Sequence, residues 1–319
     1  MKIAVMGSGG VGGYFGAKLA HSGAEVHFIA RGAHLAAMGE HGLRIESPTG
    51  DLTIQPVNAT DNPAEIGPAD IVLFAVKLYD TEVAAEACRP LLGPETAVVT
   101  FQNGIDGLGV LRRVLGDAHV AGGVTYIAAG IAAPGVIRQT GAMARLIFGE
   151  LDGTPSSRLQ VLLDQCKSAG IEATLHPAIL QAIWEKFVML CTMSGLTTLA
   201  RQPIGPIRRV PQTRALAEAS VRETVAVARA HGVELPSDIL ERTMAFFDQV
   251  PYEVKSSMLQ DLEGGRRLEV SWLSGAVARL GAERGIATPV HQTIAAALAL
   301  YADGPPTPEA TQERSQPYL

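Results

Sequence analysis

The hexapeptide Gly7-Ser8-Gly9-Gly10-Val11-Gly12 follows a short apolar run, Ile3–Met6, and opens a helical stretch, Val11–Ser22. Each glycine of the repeat meets a physical need. Gly7 permits a tight turn, Gly9 lets the backbone approach a pyrophosphate, and Gly12 allows a helix to pack closely on a strand. The phosphates would rest on the unpaired N–H groups and positive end of the helix, with Ser8, Gly10 and Val11 in the same loop. Glycine-rich turns are common and some bind nothing. A strand before and a helix after make this one a dinucleotide-binding loop. The next strand, Val26–Ala30, runs into Arg31, where an NAD site would place an acid for the ribose hydroxyls. A carboxylate would repel a 2′-phosphate, whereas a guanidinium holds it with two charge-assisted hydrogen bonds. The coenzyme expected is therefore NADPH/NADP⁺; the plainer alternative for Arg31 is a solvated loop arginine.

Two further positions sit where ligands gather in open α/β sheets, at the carboxyl ends of strands. Lys77 follows the run Ile71–Val76, and Asn103-Gly104 follows Ala97–Phe101. A solvated lysine and a common Asn-Gly turn would account for both equally well. Lys186 lies in Ile183-Trp184-Glu185-Lys186-Phe187-Val188-Met189-Leu190, early in a very apolar helix. It reads either as a snorkelling lysine covering apolar surface or as a general acid. A carbonyl that receives hydride needs a proton at oxygen, and a partly desolvated ammonium supplies one.

These residues need a scaffold, and the first half of the chain provides one. Ile3–Met6, Val26–Ala30, Ile71–Val76 and Ala97–Phe101 are brief apolar runs bounded by Gly, Pro, Asp or Asn, and they read as buried parallel strands. Helical stretches such as Val11–Ser22 and Asp80–Arg89 alternate with them, which predicts a Rossmann-type doubly wound α/β domain. Val120–Ile127, Gly135–Gln139 and Arg145–Gly149 read as shorter strands that complete the sheet with antiparallel members. A helix over Ser156–Ser168 and a strand near Ile171–Leu175 follow. Beyond Pro177 the pattern is helical throughout: Ala178–Ala200, Thr213–His231, Ser237–Gln249, Leu268–Arg284 and Pro289–Tyr301. The expected organisation is an NADP-binding domain over residues 1–176, an all-helical substrate domain over 177–303, and a flexible tail over 304–319, rich in proline and polar residues.

Composition excludes several function classes. The 319 residues carry a net charge of −6, and no basic run exceeds the pairs Arg112-Arg113, Arg208-Arg209 and Arg266-Arg267. Binding nucleic acid needs clustered cations, so no such partner is expected. The eight histidines are scattered, without ligand-like spacing for a metal. Three widely spaced cysteines, Cys88, Cys166 and Cys191, suit a reducing compartment. No secretory signal is evident, and the uninterrupted apolar stretch Phe187–Leu199 falls short of the roughly 20 residues a membrane span needs. The chain reads as cytoplasmic. Its long second-half helices are open to two arrangements, pairing between subunits as a homodimer or packing within one chain.

Taken together, Gly7–Gly12, Val76-Lys77, Gln102-Asn103-Gly104, Trp184-Glu185-Lys186, the stretch Lys255–Asp261 leading to Glu269, and Gly285-Ile286-Ala287-Thr288-Pro289 resemble ketopantoate reductases (2-dehydropantoate 2-reductases) over Met1 to about Tyr301. The resemblance implies that Lys186 donates the proton to the nascent alcohol and that Glu269 orients the catalytic and coenzyme groups. It further implies that Ser257 binds the substrate carboxylate, that Asn103 lies near nicotinamide and substrate, and that Arg31 and Lys77 contact the coenzyme. By themselves Ser257 and Glu269 read as parts of a capped helix start. The implied reaction is NADPH-dependent reduction of a small 2-oxo acid, 2-dehydropantoate to pantoate first among them, a step of pantothenate biosynthesis.

The chain departs from the family where substrate selectivity resides. Asparagines usual one and two turns after the lysine are replaced by Leu190 and Ser194, and another by Ile204. Leucine and isoleucine cannot hydrogen-bond a polar substrate, so a more apolar 2-oxo acid is the alternative substrate. A second alternative, from a different class, is a catalytically silent NADPH-binding sensor; it requires turnover to be absent and Lys186 and Glu269 to be dispensable.

Overall fold

The sequence Lys2-Ile3-Ala4-Val5-Met6 has no polar face, and it forms β1 (Lys2–Met6), whose last four residues are buried. The computed structural model describes residues 1–306, so the tail expected over 304–319 lies outside them beyond Pro306. By internal contacts the chain divides into two units after Ile183.

In the first unit β1 is followed by α1 (Gly10–His21), β2 (Glu25–Ile29), α2 (Gly32–His41), β3 (Leu43–Glu46), β4 (Leu52–Ile54), β5 (Ala59–Thr60), β6 (Ala69–Phe74), α3 (Thr81–Ala87) and β7 (Leu92–Thr100). Then come α4 (Asp106–Leu115), β8 (Val120–Ala133), β9 (Val136–Glu150), α5 (Ser157–Ser168) and β10 (Glu172–Leu175). The strands form one sheet in the order β4-β3-β9-β8-β7-β6-β1-β2-β5, with β10 added on β9. The segment β5-β2-β1-β6-β7-β8 is parallel throughout and has the doubly wound order. Successive residues of its strands feed opposite cores. Ile3, Val5, Ile71, Leu73, Ala97 and Val99 pack on one face; Ala4, Met6, Val72, Phe74 and Val98 pack on the other. Both faces are apolar, which is why these strands read as continuous rather than alternating runs. Met6 is level with Ile29 and with Phe74, so the loops after β1, β2 and β6 emerge side by side at the switch point.

Two sequence expectations need correction here. Apart from Gly135, which lies in the β8–β9 turn, Gly135–Gln139 and Arg145–Gly149 are not separate strands but parts of β9, which pairs antiparallel with β8 along most of its length. Between them the pairing with β8 skips from Gln139 to Ala144, an irregularity that contains Gly141, whose φ is +78°. The opposite edge of β9 takes β3 and β10 in parallel, so only part of this extension is antiparallel. β3, β4 and β5 were not foreseen, being too short for a two-residue period to show.

After β10, the described residues contain helices and turns only: α6 (Ile179–Ala200), α7 (Ile204–Arg209), α8 (Pro211–Ala230), α9 (Ile239–Gln249), α10 (Ser257–Glu263), α11 (Ser274–Glu283) and α12 (Pro289–Leu298). The first turn of α6 belongs to the first unit, where Ile179, Ala182 and Ile183 pack on Val124 and Ile147. By length and apolarity alone α6 could cross a membrane, but two thirds of its most apolar window is buried in the protein, as in a core helix. The single helix expected over Leu268–Arg284 is broken. A 3₁₀ turn, Val270–Trp272, is followed by Leu273 at φ −103° and ψ −97°, outside the helical region, before α11 begins. Apolar spacing continues across the break, so periodicity alone does not reveal it.

The second unit is tied together by a buried polar hub. His291 on α12 is fully buried, with Nε2 2.9 Å from Thr224 Oγ1 and 3.1 Å from Ser220 Oγ on α8. Ser220 Oγ lies 2.8 Å from Thr192 Oγ1 on α6, and His291 Nδ1 lies 3.3 Å from Ser274 Oγ on α11. Burial brings the imidazole pKa down to about 4, which keeps it neutral. Glu223 on α8 accepts from the N–H groups of Val290 and His291 in the first turn of α12, so the hub joins four helices.

Candidate active site

The glycine-rich loop is shaped by what surrounds each missing side chain. Gly7 has φ +96°, and a Cβ there would lie 2.8 Å from Val76 N. A Cβ on Gly12 would overlap the Gly7 carbonyl oxygen, and one on Gly10 would overlap the Ala129 carbonyl of β8. Close packing of α1 on β8 at Gly10 was not evident from the sequence. At Gly9, by contrast, an added Cβ meets no protein atom within 4 Å. Gly9 is also the N-cap of α1 and supplies no side-chain cap. The loop thus presents the start of a helix and an open, side-chain-free approach to it, which fits the pyrophosphate of a dinucleotide.

Ser8 is buried, and its hydroxyl donates to Ile29 O at 3.0 Å, as does its N–H at 3.2 Å. Its side chain fastens the loop to β2. His34, which the sequence reading passed over, fastens it from the other side. Nε2 lies 2.9 Å from Ser8 O, and Nδ1 accepts from Gly135 N–H at 3.0 Å in the β8–β9 turn. That pair of bonds needs the neutral Nε2–H tautomer, and burial does lower the His34 pKa, opposed by the bond to the Ser8 carbonyl. A lone histidine on a short helix carries no sequence signal for this role.

Arg31 lies at the carboxyl end of β2, and its Nη2 donates to Asp80 Oδ2 at 2.9 Å. Asp80, in the turn after β6, was not singled out from the sequence. Lys77 precedes that turn and is half-buried. Gln102 links the loops after β6 and β7: its Nε2 donates to Val76 O at 3.1 Å and to Thr81 Oγ1 at 2.8 Å. Asn103 follows, half-buried, and Gly104 at φ +83° completes the turn.

In the second unit, Lys186 sits on α6 with part of its surface accessible but dense protein around its amine. Burial brings its pKa down to about 8, and the Glu269 carboxylate opposes that fall by favouring the ammonium. Glu269, just before the broken helix, is only 6% exposed. These two sequence-predicted groups are therefore brought into electrostatic contact. Ser257 is the first residue of α10 and is exposed. The preceding Ser256 makes that arrangement: its Oγ accepts from Leu259 N–H at 3.1 Å and lies 2.7 Å from Thr197 Oγ1 on α6. Leu190 is partly buried. Ser194 is fully buried, and its Oγ has no hydrogen-bond partner. Ile204 is 1% exposed, a core residue at the start of α7. Among the described residues no group of three or more His, Cys, Asp or Glu could hold a metal ion.

A doubly wound sheet with a glycine-rich loop at the start of its first helix, together with a buried lysine whose pKa is lowered, is the arrangement of a dinucleotide-binding oxidoreductase. Models of the ketopantoate reductase family (PanE/ApbA) match residues 3–153, and those of its C-terminal domain match residues 178–302; the chain belongs to this family. The 2-dehydropantoate 2-reductase of Mesorhizobium japonicum is 35% identical, covering 94% of this chain and 96% of the relative. The crystal structure of 2-dehydropantoate 2-reductase from Geobacter metallireducens GS-15 is 32% identical, with a TM-score of 0.88 over 94% of this chain and 99% of that one. A D-mandelate dehydrogenase solved with NADH and anilino(oxo)acetate shares the fold, at 24% identity and a TM-score of 0.86, covering 94% of this chain and 97% of that one.

Proposed function

We propose that this NADP-dependent oxidoreductase, which acts on CH–OH groups, reduces a small 2-oxo acid to the 2-hydroxy acid, with 2-dehydropantoate as the leading substrate. The observation that carries the reading is the Lys186 ammonium, whose pKa burial lowers to about 8 while Glu269 favours its charged form. Such a group is charged at neutral pH yet gives up its proton readily, as a general acid must. NADPH, when bound, supplies hydride to the carbonyl carbon. Gly7–Gly12 and the amino end of α1 would hold its pyrophosphate, and Arg31 and Lys77 its remaining phosphate and ribose. Lys186 stabilises the charge that grows on the carbonyl oxygen and then transfers its proton to that oxygen. Glu269 keeps the amine charged and oriented. The exposed Ser257 hydroxyl is offered to the substrate carboxylate, and Asn103 to the reacting end of coenzyme and substrate.

Substrate choice rests on fewer polar groups than the family usually provides. Leu190 can offer no hydrogen bond, Ile204 is withdrawn into the core, and the buried Ser194 hydroxyl has no hydrogen-bond partner in the protein. These features favour, as a second reading, a 2-oxo acid with a more apolar side chain than 2-dehydropantoate. The three buried free cysteines are in keeping with a reducing, cytoplasmic setting.

The test is loss of NADPH absorbance with a panel of 2-oxo acids bearing hydroxylated, branched aliphatic and aromatic side chains. The highest kcat/KM on 2-dehydropantoate supports the leading assignment; a preference of tenfold or more for an apolar member replaces it with the second reading. Tight NADPH binding without turnover on any member would instead make the protein a sensor and overturn both.

A further inference from the structure

We propose that Asp80 sets the coenzyme preference of this chain by competing, through its carboxylate, with a 2′-phosphate for the Arg31 guanidinium. The inference rests on the reading of the first unit as an NADPH site. Arg31 follows β2 and Asp80 follows β6, and the strand between them, β1, is level with the ends of both. Both side chains therefore reach the same end of the sheet, beside the glycine-rich loop. There Arg31 Nη2 and Asp80 Oδ2 meet at 2.9 Å, with the arginine side chain 75% exposed and the aspartate 33%.

Sites for NAD place an acid at the end of the second strand to accept from the ribose hydroxyls, and sites for NADP place an arginine nearby. This chain has the arginine at that position and receives an acid there from another loop, 49 residues further along. The two signatures oppose each other. A 2′-phosphate, carrying close to two negative charges, must share Arg31 with the carboxylate or displace it, and in either case lies within a few ångströms of it. The 2′-hydroxyl of NADH meets no such repulsion and can donate to the carboxylate. Asp80 is thus a specificity-determining residue: it weakens NADPH relative to NADH, and NADH becomes a usable coenzyme. Sequence inspection missed it because the acid is not in the segment where such acids are sought.

The experiment measures nucleotide binding without turnover. Dissociation constants of NADPH, NADH, 2′,5′-ADP and 5′-AMP are determined calorimetrically for the unsubstituted protein and for Asp80→Asn, Asp80→Ala and Arg31→Ala, with circular dichroism to verify folding. Removing the carboxylate should tighten NADPH and 2′,5′-ADP by about three- to tenfold at low salt, and the gain should shrink as salt rises. NADH and 5′-AMP should be unchanged or weaker. Arg31→Ala should abolish the difference between 2′,5′-ADP and 5′-AMP. An unchanged NADPH/NADH ratio in both Asp80 variants, or a shift towards NADH, overturns the role of Asp80 and leaves the nucleotide site standing. If none of the four nucleotides binds the unsubstituted protein, the site itself is wrong and both readings fall.

Discussion

In the proposed reaction Lys186 and Glu269 are the pair on which proton transfer turns, and their coupling has a sign that can be measured. With the Lys186 pKa near 8, the ammonium predominates below pH 8 and the free amine above it. Reduction needs the proton on the lysine, so kcat/KM for the oxo acid should fall as pH rises through about 8. Oxidation of the hydroxy acid needs the base form and should rise over the same interval. Glu269→Gln removes the charge that holds the pKa up, so both limbs should move below pH 8, by about one unit. Lys186→Ala should lower kcat by about 10²–10⁴ while NADPH binding, followed by fluorescence, stays within a few-fold. A basic limb that does not move in the glutamine variant would dissociate Glu269 from the lysine. The same pair shows the reach of sequence inspection. A lysine in an apolar helix stands out, whereas a glutamate 83 positions away becomes its partner only through the fold of the second unit.

At the scale of elements, the loop between β1 and α1 separates glycines that the fold needs from one that the proposed coenzyme site needs. An added methyl at Gly10 would run into the backbone of β8, which cannot yield without shifting a strand. Gly10→Ala should therefore cost about 1–3 kcal/mol of stability and lower the melting temperature. A methyl at Gly9 meets open space, and the backbone there, at φ −78°, accommodates alanine. Gly9→Ala should cost under about 1 kcal/mol, the difference between glycine and alanine at an N-cap, yet weaken NADPH at least tenfold by blocking the phosphate approach. Differential scanning fluorimetry and coenzyme titration of the two variants distinguish these outcomes; normal NADPH affinity in Gly9→Ala would remove the pyrophosphate from this loop. His34 belongs to this scale as well, since it holds the loop by bonds to two elements rather than through any chemistry of its own.

Across the whole molecule, polar and reactive groups are buried where they cannot take part in side reactions. Cys88, Cys166 and Cys191 are all buried, and burial pushes the thiols of Cys88 and Cys166 up to about 12. The thiolate is the reactive form, so the native protein should react slowly with a chromogenic disulfide and release three equivalents only after unfolding. Activity should survive the reagent under native conditions; rapid modification with loss of activity would show that a cysteine is accessible and close to the chemistry. The His291 hub follows the same logic: a neutral imidazole surrounded by hydroxyls costs little to bury because its nitrogens are engaged.

The alternation of the central strands and helices, the glycine-rich loop and the candidate lysine could be read from residues alone, because glycine spacing and apolar runs act locally. Long-range pairing was beyond that reading. The two runs of β9 are joined by their shared pairing with β8, Gly10 is confined by a strand more than a hundred residues away, and Asp80 meets Arg31 only because parallel strands bring distant loops to one end of the sheet. Local sequence carries propensity and periodicity. Which charges and backbones confront one another is decided by the register of a sheet, and that exists only once the chain has folded.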